Sequence, residues 1–180
     1  MKRGFTLIEL IIVMGILAVL ATVAVLVLNP AEILRQARDS QRISDLSSIK
    51  SAIAMHLSTG TTPNTGFSGT TSTCRLTYAS TTFGFPSCAY ASALISSSTA
   101  VTGLGWVNVN FTDTSGGSAL GSLPLDPTNN ASFFYGYVNA PGNNTFKLDA
   151  FLESTKYSPM TSSDGGPSSS IYEVGTNLAL

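Results

Sequence analysis

The residues whose types and spacing could do chemistry sit at the start of one apolar run. The chain opens Met1-Lys2-Arg3-Gly4 and continues Phe5-Thr6-Leu7-Ile8-Glu9-Leu10. From Leu10 to Leu28 there are 19 residues without a charge, and Thr22 carries the one polar side chain among them. A carboxylate in an apolar helix costs about 3 kcal/mol at the centre of a bilayer and less near its edge. Glu9 is therefore either an interfacial residue without a role or a group that needs a partner charge. Cutting the Gly4–Phe5 peptide bond would create one, the new α-amino group on Phe5 of a neighbouring subunit. An ordinary secretory signal is cut after its apolar run, at small residues. Here Ala18, Ala21 and Ala24 have a spacing that continues a helix. A cut after Gly4 instead leaves the whole apolar segment on the mature chain, and Lys2 and Arg3 favour a cytoplasmic N-terminus.

Other chemistry is sparse. Cys74 and Cys88 have neither a Cys-x-x-Cys partner nor a nearby histidine, which disfavours zinc. In an exported head they can bridge; the alternative is two unpaired thiols. A bridge would close a loop of about 15 residues and contribute about 3 kcal/mol in the chain-entropy picture. His56, the sole histidine, lies on a helical segment with no nucleophile or carboxylate that stands out nearby, and reads as a helix-surface residue. Gly103 and Gly105 lack the Lys-Ser/Thr of a phosphate loop. The carboxylates are scattered, without the pairing that glycoside hydrolysis needs. Ser162-Ser163-Asp164-Gly165-Gly166 offers oxygen ligands at a glycine turn, a pattern that suits calcium, but Asp164 is the one acid there and a metal-free turn is the favoured reading. No cofactor is called for, and no catalytic residue is assigned.

Elements that would position these residues follow from periodicity. Nineteen helical residues span about 28 Å, close to the bilayer core of about 30 Å. Asn29-Pro30 predicts a kink or break near residues 26–30. Beyond it Ile43, Leu46, Ile49, Ile53 and Leu57 recur every three or four residues, one stripe of an amphipathic helix over 31–58 that should pack on a head domain. Arg35, Arg38 and Arg42 form a basic edge beside Glu32, Asp39 and Asp45. The pairs Glu32–Arg35, Arg35–Asp39 and Arg42–Asp45 have helical spacing. That edge reads as a solvated face, with pairing between staggered helices of an assembly as the sharper alternative. Gly60 is placed to cap the helix.

Residues 61–73 read as a loop, and a short helix is possible near Tyr90–Ser97. Alternation predicts a strand at Leu104–Phe111, the aromatic run of Phe133, Phe134, Tyr135 and Tyr137 predicts one at Ser132–Asn139, and alternation again predicts one at Thr145–Glu153. In the last, Phe146, Leu148, Ala150 and Leu152 face inward, while Lys147, Asp149, Phe151 and Glu153 face outward. Pro141-Gly142-Asn143-Asn144 makes a turn between the last two strands. The fold class is α+β, a long N-terminal helix against a small antiparallel sheet.

The segment Lys2-Arg3-Gly4-Phe5-Thr6-Leu7-Ile8-Glu9-Leu10 resembles the prepilin signal of the type IV pilin superfamily, which includes type II secretion pseudopilins and competence pilins. The resemblance implies that a membrane prepilin peptidase cuts after Gly4 and methylates Phe5. It also implies that Glu9 pairs with a neighbour's N-terminus. Leu123-Pro124-Leu125-Asp126-Pro127 followed by Tyr135-Gly136-Tyr137 resembles the loop and strand of major pseudopilins and related pilins. Those pseudopilins bind calcium in the part of the head where Asp164 lies. The resemblance divides the chain into a leader at 1–4, a transmembrane and assembly helix at 5–28, an amphipathic stem at 29–58 and a β-rich head at 59–180.

The expected function is that of a structural filament subunit: a major pilin, a pseudopilin or a competence pilin. The alternative is a membrane-anchored adhesion or binding module that does not polymerise. Expected partners are other copies of the chain, prepilin peptidase, the inner-membrane assembly machinery and, before assembly, the membrane. The expected location is a single-pass membrane protein with its head exported, then an extracellular or periplasmic filament. Net charge is −1. Beyond residue 58, Arg75, Lys147 and Lys156 face Asp113, Asp126, Asp149, Glu153, Asp164 and Glu173, so the head has no basic footprint for nucleic acid.

Overall fold

A computed structural model describes residues 4–60, 73–79, 94–140 and 144–180. The chain enters helix α1, Leu7–Leu28, through Thr6. The Thr6 hydroxyl oxygen accepts the Glu9 backbone N–H at 3.3 Å, satisfying one of the helix's open donors. Thr22 donates its hydroxyl to the Ala18 carbonyl at 2.6 Å, so the one polar side chain of the apolar run bonds within its own helix. Asn29 then takes a left-handed conformation (φ 39°, ψ 72°), the break expected from Asn29-Pro30. Helix α2, Pro30–Thr59, starts at once, with proline in its first turn where a missing N–H costs nothing.

Helix α2 ends at Gly60, whose N–H reaches the His56 carbonyl at 2.8 Å. Gly60 caps the helix in an extended conformation rather than a left-handed one. Its need for glycine is steric, because a Cβ there would come within 2.6 Å of the His56 carbonyl oxygen.

The head is a five-stranded sheet packed on α2, giving an α+β fold. Its strands are β1 (Thr73–Leu76), β2 (Leu94–Ile95), β3 (Tyr135–Ala140), β4 (Thr145–Ala150) and β5 (Tyr172–Gly175), in the order β2-β1-β3-β4-β5. All neighbours are antiparallel except β1 and β2. The main core lies between α2 and one sheet face. Leu46, Ile49, Ala52 and Ile53 of the helix meet Tyr137, Phe146, Leu148 and Ala150 of the sheet. Ile43 and Leu57, at the ends of the stripe, are half-buried.

Three expectations change. Leu104–Phe111 is not a strand. Leu104 is 77% exposed, while Trp106, Val107, Val109 and Phe111 enter the core from an irregular segment. Gly103 sits at φ 86°, and a Cβ on Gly105 would strike the Ala100 carbonyl, so the backbone is held tight where a strand would need to be straight. The short helix near Tyr90–Ser97 is contradicted where it can be seen, because Leu94–Ile95 is β2, which pairs with β1; residues 90–93 lie outside the described residues. Lys147 and Asp149 do face away from α2, but they are fully buried. That opposite face carries a second cluster of Cys74, Leu76, Phe134, Val138 and Leu180, so it is not a solvent face. Of the expected turn at 141–144, residues 141–143 lie outside the described residues, and Asn144 leads into β4 with φ 50°.

The stem stripe makes a direct prediction. Ile49→Ala should lower the stability of the full chain in detergent by about 2–5 kcal/mol, the range for truncating a buried aliphatic side chain. Leu34→Ala, at a side chain 60% exposed, should change the melting temperature little. Thermal melting followed by circular dichroism checks both.

Candidate functional site

Two sites emerge, one at the bare end of the helix and one where the stem meets the head. At the first, Phe5 is 83% exposed, and every described side chain of α1 is exposed. Leu7–Thr59 includes a stretch long and apolar enough to cross a membrane, with none of that stretch buried. Glu9 lies in the first turn, where its carboxylate accepts the Thr6 hydroxyl at 3.4 Å and the helix dipole favours negative charge. Gly4 precedes the helix. A Cβ there would meet nothing within 4 Å, and the backbone is not left-handed, so packing in this chain does not require glycine at that position.

The second site corrects the solvated-edge expectation. Arg42 and Asp39 are fully buried. Arg42 Nε donates to Asp126 Oδ2 at 2.6 Å, and Nη2 donates to Asp126 Oδ1 at 3.1 Å. Arg42 Nη1 reaches both Asp39 Oδ1 and Glu153 Oε1 at 2.8 Å. The Phe133 ring lies 4.7 Å from the guanidinium carbon, closing the face of the cation. Arg38 clasps Glu153 from the other side through Nε at 2.6 Å and Nη2 at 2.8 Å.

The stem's acids bind the head backbone. Asp39 accepts the Ser154 N–H at 2.7 Å and the Glu153 N–H at 3.1 Å. Glu32 accepts the Thr155 N–H at 2.7 Å and the Thr155 hydroxyl at 2.8 Å. Of the three helix pairs expected, Glu32–Arg35 forms, at 3.7 Å with Arg35 half exposed. Asp45 instead accepts the Tyr135 hydroxyl at 2.8 Å, and Asp39 pairs with Arg42. The charged edge faces the head of its own chain because the aliphatic stripe of α2 and the carboxylates of the 126 and 153 loops lie on the same side.

These contacts tune the groups. Burial opposes the Arg42 charge, yet the hydrogen bonds and charge of Asp126, Glu153 and Asp39 overcome it and hold the guanidinium above its ordinary value. The Arg38 hydrogen bonds, against the cost of burial and with the help of Arg42, pull Glu153 from an ordinary 4.5 down to about 2. Burial pushes Asp45 up, only partly offset by the Tyr135 hydroxyl. Burial also raises Tyr135, reinforced by the Asp45 charge beside it.

The remaining candidates separate. Cys74 is buried on β1 opposite Val138, whereas Cys88 lies outside the described residues. His56 is buried, not on the surface. Its ring meets Phe111 edge-on at 6.4 Å, and neither nitrogen has a hydrogen-bond partner. Both Asp164 oxygens accept backbone N–H groups, from Gly166 at 2.9 Å and Glu173 at 2.8 Å. Among the described residues no group of three or more acidic, histidine or cysteine side chains is arranged to hold a metal.

Truncating Arg42 should be severe. Arg42→Met leaves Asp39 and Asp126 buried without their cation and should cost about 3–5 kcal/mol in a thermal or denaturant melt. The pH dependence has a fixed sign. Glu153 is depressed in the folded state, so its contribution is complete above about 4.5 and is lost as pH falls through about 2. The stability difference between the wild-type chain and Glu153→Gln should therefore shrink across that window, as read from paired melts.

Residues 1–25 match the family model described as the prokaryotic N-terminal methylation motif. No curated protein and no solved structure matches the chain. The chain thus carries, ahead of a bare apolar helix, the prepilin-type cleavage and methylation signal found in type IV pilins and pseudopilins.

Proposed function

We propose that the chain is the structural subunit of a type IV pilus-like filament. In this reading prepilin peptidase cuts between Gly4 and Phe5 and methylates Phe5. The membrane holds the subunit by α1 until the assembly machinery transfers it into a bundle of like helices, and the head ends outside the cell or in the periplasm. The observation that carries the reading is the apolar helix into which the methylation motif runs, with every described side chain exposed. An apolar surface of that size needs a bilayer or other helices to cover it. Gly4 supports the cut, since among the described residues nothing packs close enough to call for glycine at that position. Glu9 supports the assembly step, because its first-turn position leaves the carboxylate open to a neighbour's amino terminus.

The stem–head ion network gives the subunit a further property suited to a filament. Force on the helix is passed to the head through charge-assisted hydrogen bonds and an aliphatic core rather than through a loose linker. In an exported head, Cys74 and Cys88 form a disulfide in this reading. Peptide mapping without reduction should recover the two cysteines in one linked species; two separately alkylated thiols would contradict the bridge.

Glu9 separates a polymerising subunit from an anchored module. Glu9→Gln in cells should leave the chain processed and membrane-bound while surface filaments fall at least about tenfold, the effect of about 1.4 kcal/mol per assembly contact. Normal filament yield from Glu9→Gln and Glu9→Ala would overturn the assembly role.

A further inference from the structure

The face of the sheet turned away from the stem holds a lysine and two acids that the stem–head network does not use. Lys147 and Asp149 lie two apart on β4 and so point to the same face, and Glu173 on β5 is the register partner of Asp149. Lys147 and Asp149 are 0% exposed and Glu173 is 2% exposed. Lys147 Nζ lies 2.8 Å from Glu173 Oε1 and 3.7 Å from Asp149 Oδ2. Glu173 is held in place from both ends. Its Oε2 accepts the Ser168 N–H at 2.9 Å, and its own N–H donates to Asp164 at 2.8 Å. A Cβ on Gly166 would collide with the Glu173 carboxylate, so the glycine lets the 164–168 loop close over it. Asp149 differs from Glu173, since neither of its oxygens has a hydrogen-bond partner.

We propose that Lys147 and Asp149 condense into an intramolecular isopeptide bond, with Glu173 carrying the proton. The roles follow from the contacts. Glu173, which accepts hydrogen bonds as a carboxylate, takes a proton from the Lys147 ammonium. The freed Nζ lone pair attacks Asp149 Cγ and forms the N–C bond. Asp149 reacts as the neutral acid: burial drives its carboxyl well above the usual range, against the pull of Lys147. Glu173 then returns that proton to the departing hydroxyl and takes up the second proton from the nitrogen, 2.8 Å away before reaction; the C–O bond breaks and one water leaves. An ammonium, a neutral carboxyl and the Glu173 carboxylate become an amide, one water and a protonated Glu173, and no oxidant or co-reactant is required.

Burial favours this outcome in two ways. Hydrolysis would need water to return to a closed site. The amide also removes a buried ammonium and an unsolvated carboxyl, each expensive away from water. The inference concerns the head alone and does not rest on the filament reading.

The test is the intact mass of the full chain, extracted in detergent and reduced. The wild-type protein should be lighter by one water than the mass of its sequence with its N-terminal processing, methylation included, counted. Tandem mass spectra of a proteolytic digest should place the link between Lys147 and Asp149. Lys147→Arg, which keeps the charge but is a poor nucleophile, should have the full mass. So should Glu173→Ala, in preparations that still melt cooperatively. Asp149→Asn should be lighter by one ammonia instead, because the leaving group has changed. A wild-type chain of full mass, or a link found on Glu173, would overturn the proposal.

Discussion

The structure depends on a guanidinium that cannot be left alone. Arg42 is a fully buried cation on a helix, and it meets Asp126, Glu153 and Asp39 at hydrogen-bond distance. Removing a charge from water costs several kcal/mol, and only good geometry with several partners restores it. The three acids come from the stem and from two separate loops of the head. Satisfying Arg42 therefore sets where those loops sit, and they in turn set the rotation of α2 about its axis. That rotation turns Leu46, Ile49 and Ile53 onto the sheet, so the aliphatic core and the ion network specify one docking.

The same docking divides the long helix into two chemical regimes. From Glu32 onward the helix is satisfied by its own head, through charge first and apolar contact further along. Before Asn29 the apolar side chains are covered by nothing among the described residues: apart from Glu9 and Thr22, the described side chains of α1 are exposed apolar groups. Asn29, left-handed and followed by proline, marks the boundary, and it is where the backbone can change direction without straining the helix on either side. A chain so built has a head docked on its own stem and an apolar tail that needs a bilayer or other helices to cover it.

What the sequence made legible is what repeats locally. The 3.6-residue stripe identified the buried face of α2, the aromatic run at 132–139 identified β3, and alternation identified β4 with the correct inward residues Phe146, Leu148 and Ala150. The Gly4-Phe5…Glu9 signal is linear and needs no fold to be recognised. Alternation misled at Leu104–Phe111, where Gly103 and Gly105 break the strand and the apolar side chains reach the core from a loop. Strand β2 has only two residues and exists through its pairing with β1, so its own composition says little. The stem–head network was invisible for a related reason. Arg42 lies 84 residues from Asp126 and 111 from Glu153, and its helix spacing pointed to Asp45 as a local partner. The signal that was present is scarcity: in a head with nine charged side chains, each acid on a loop is a candidate counter-ion for a stem arginine.

In the proposed filament the apolar helix stays on the mature chain and is covered by other copies. Mass spectrometry of filaments sheared from cells tests it most directly. The expected result is an abundant subunit that begins at N-methylated Phe5 and retains residues 7–28. A mature chain cut after Leu28, or filaments that lack this chain while it remains in the membrane, would contradict it.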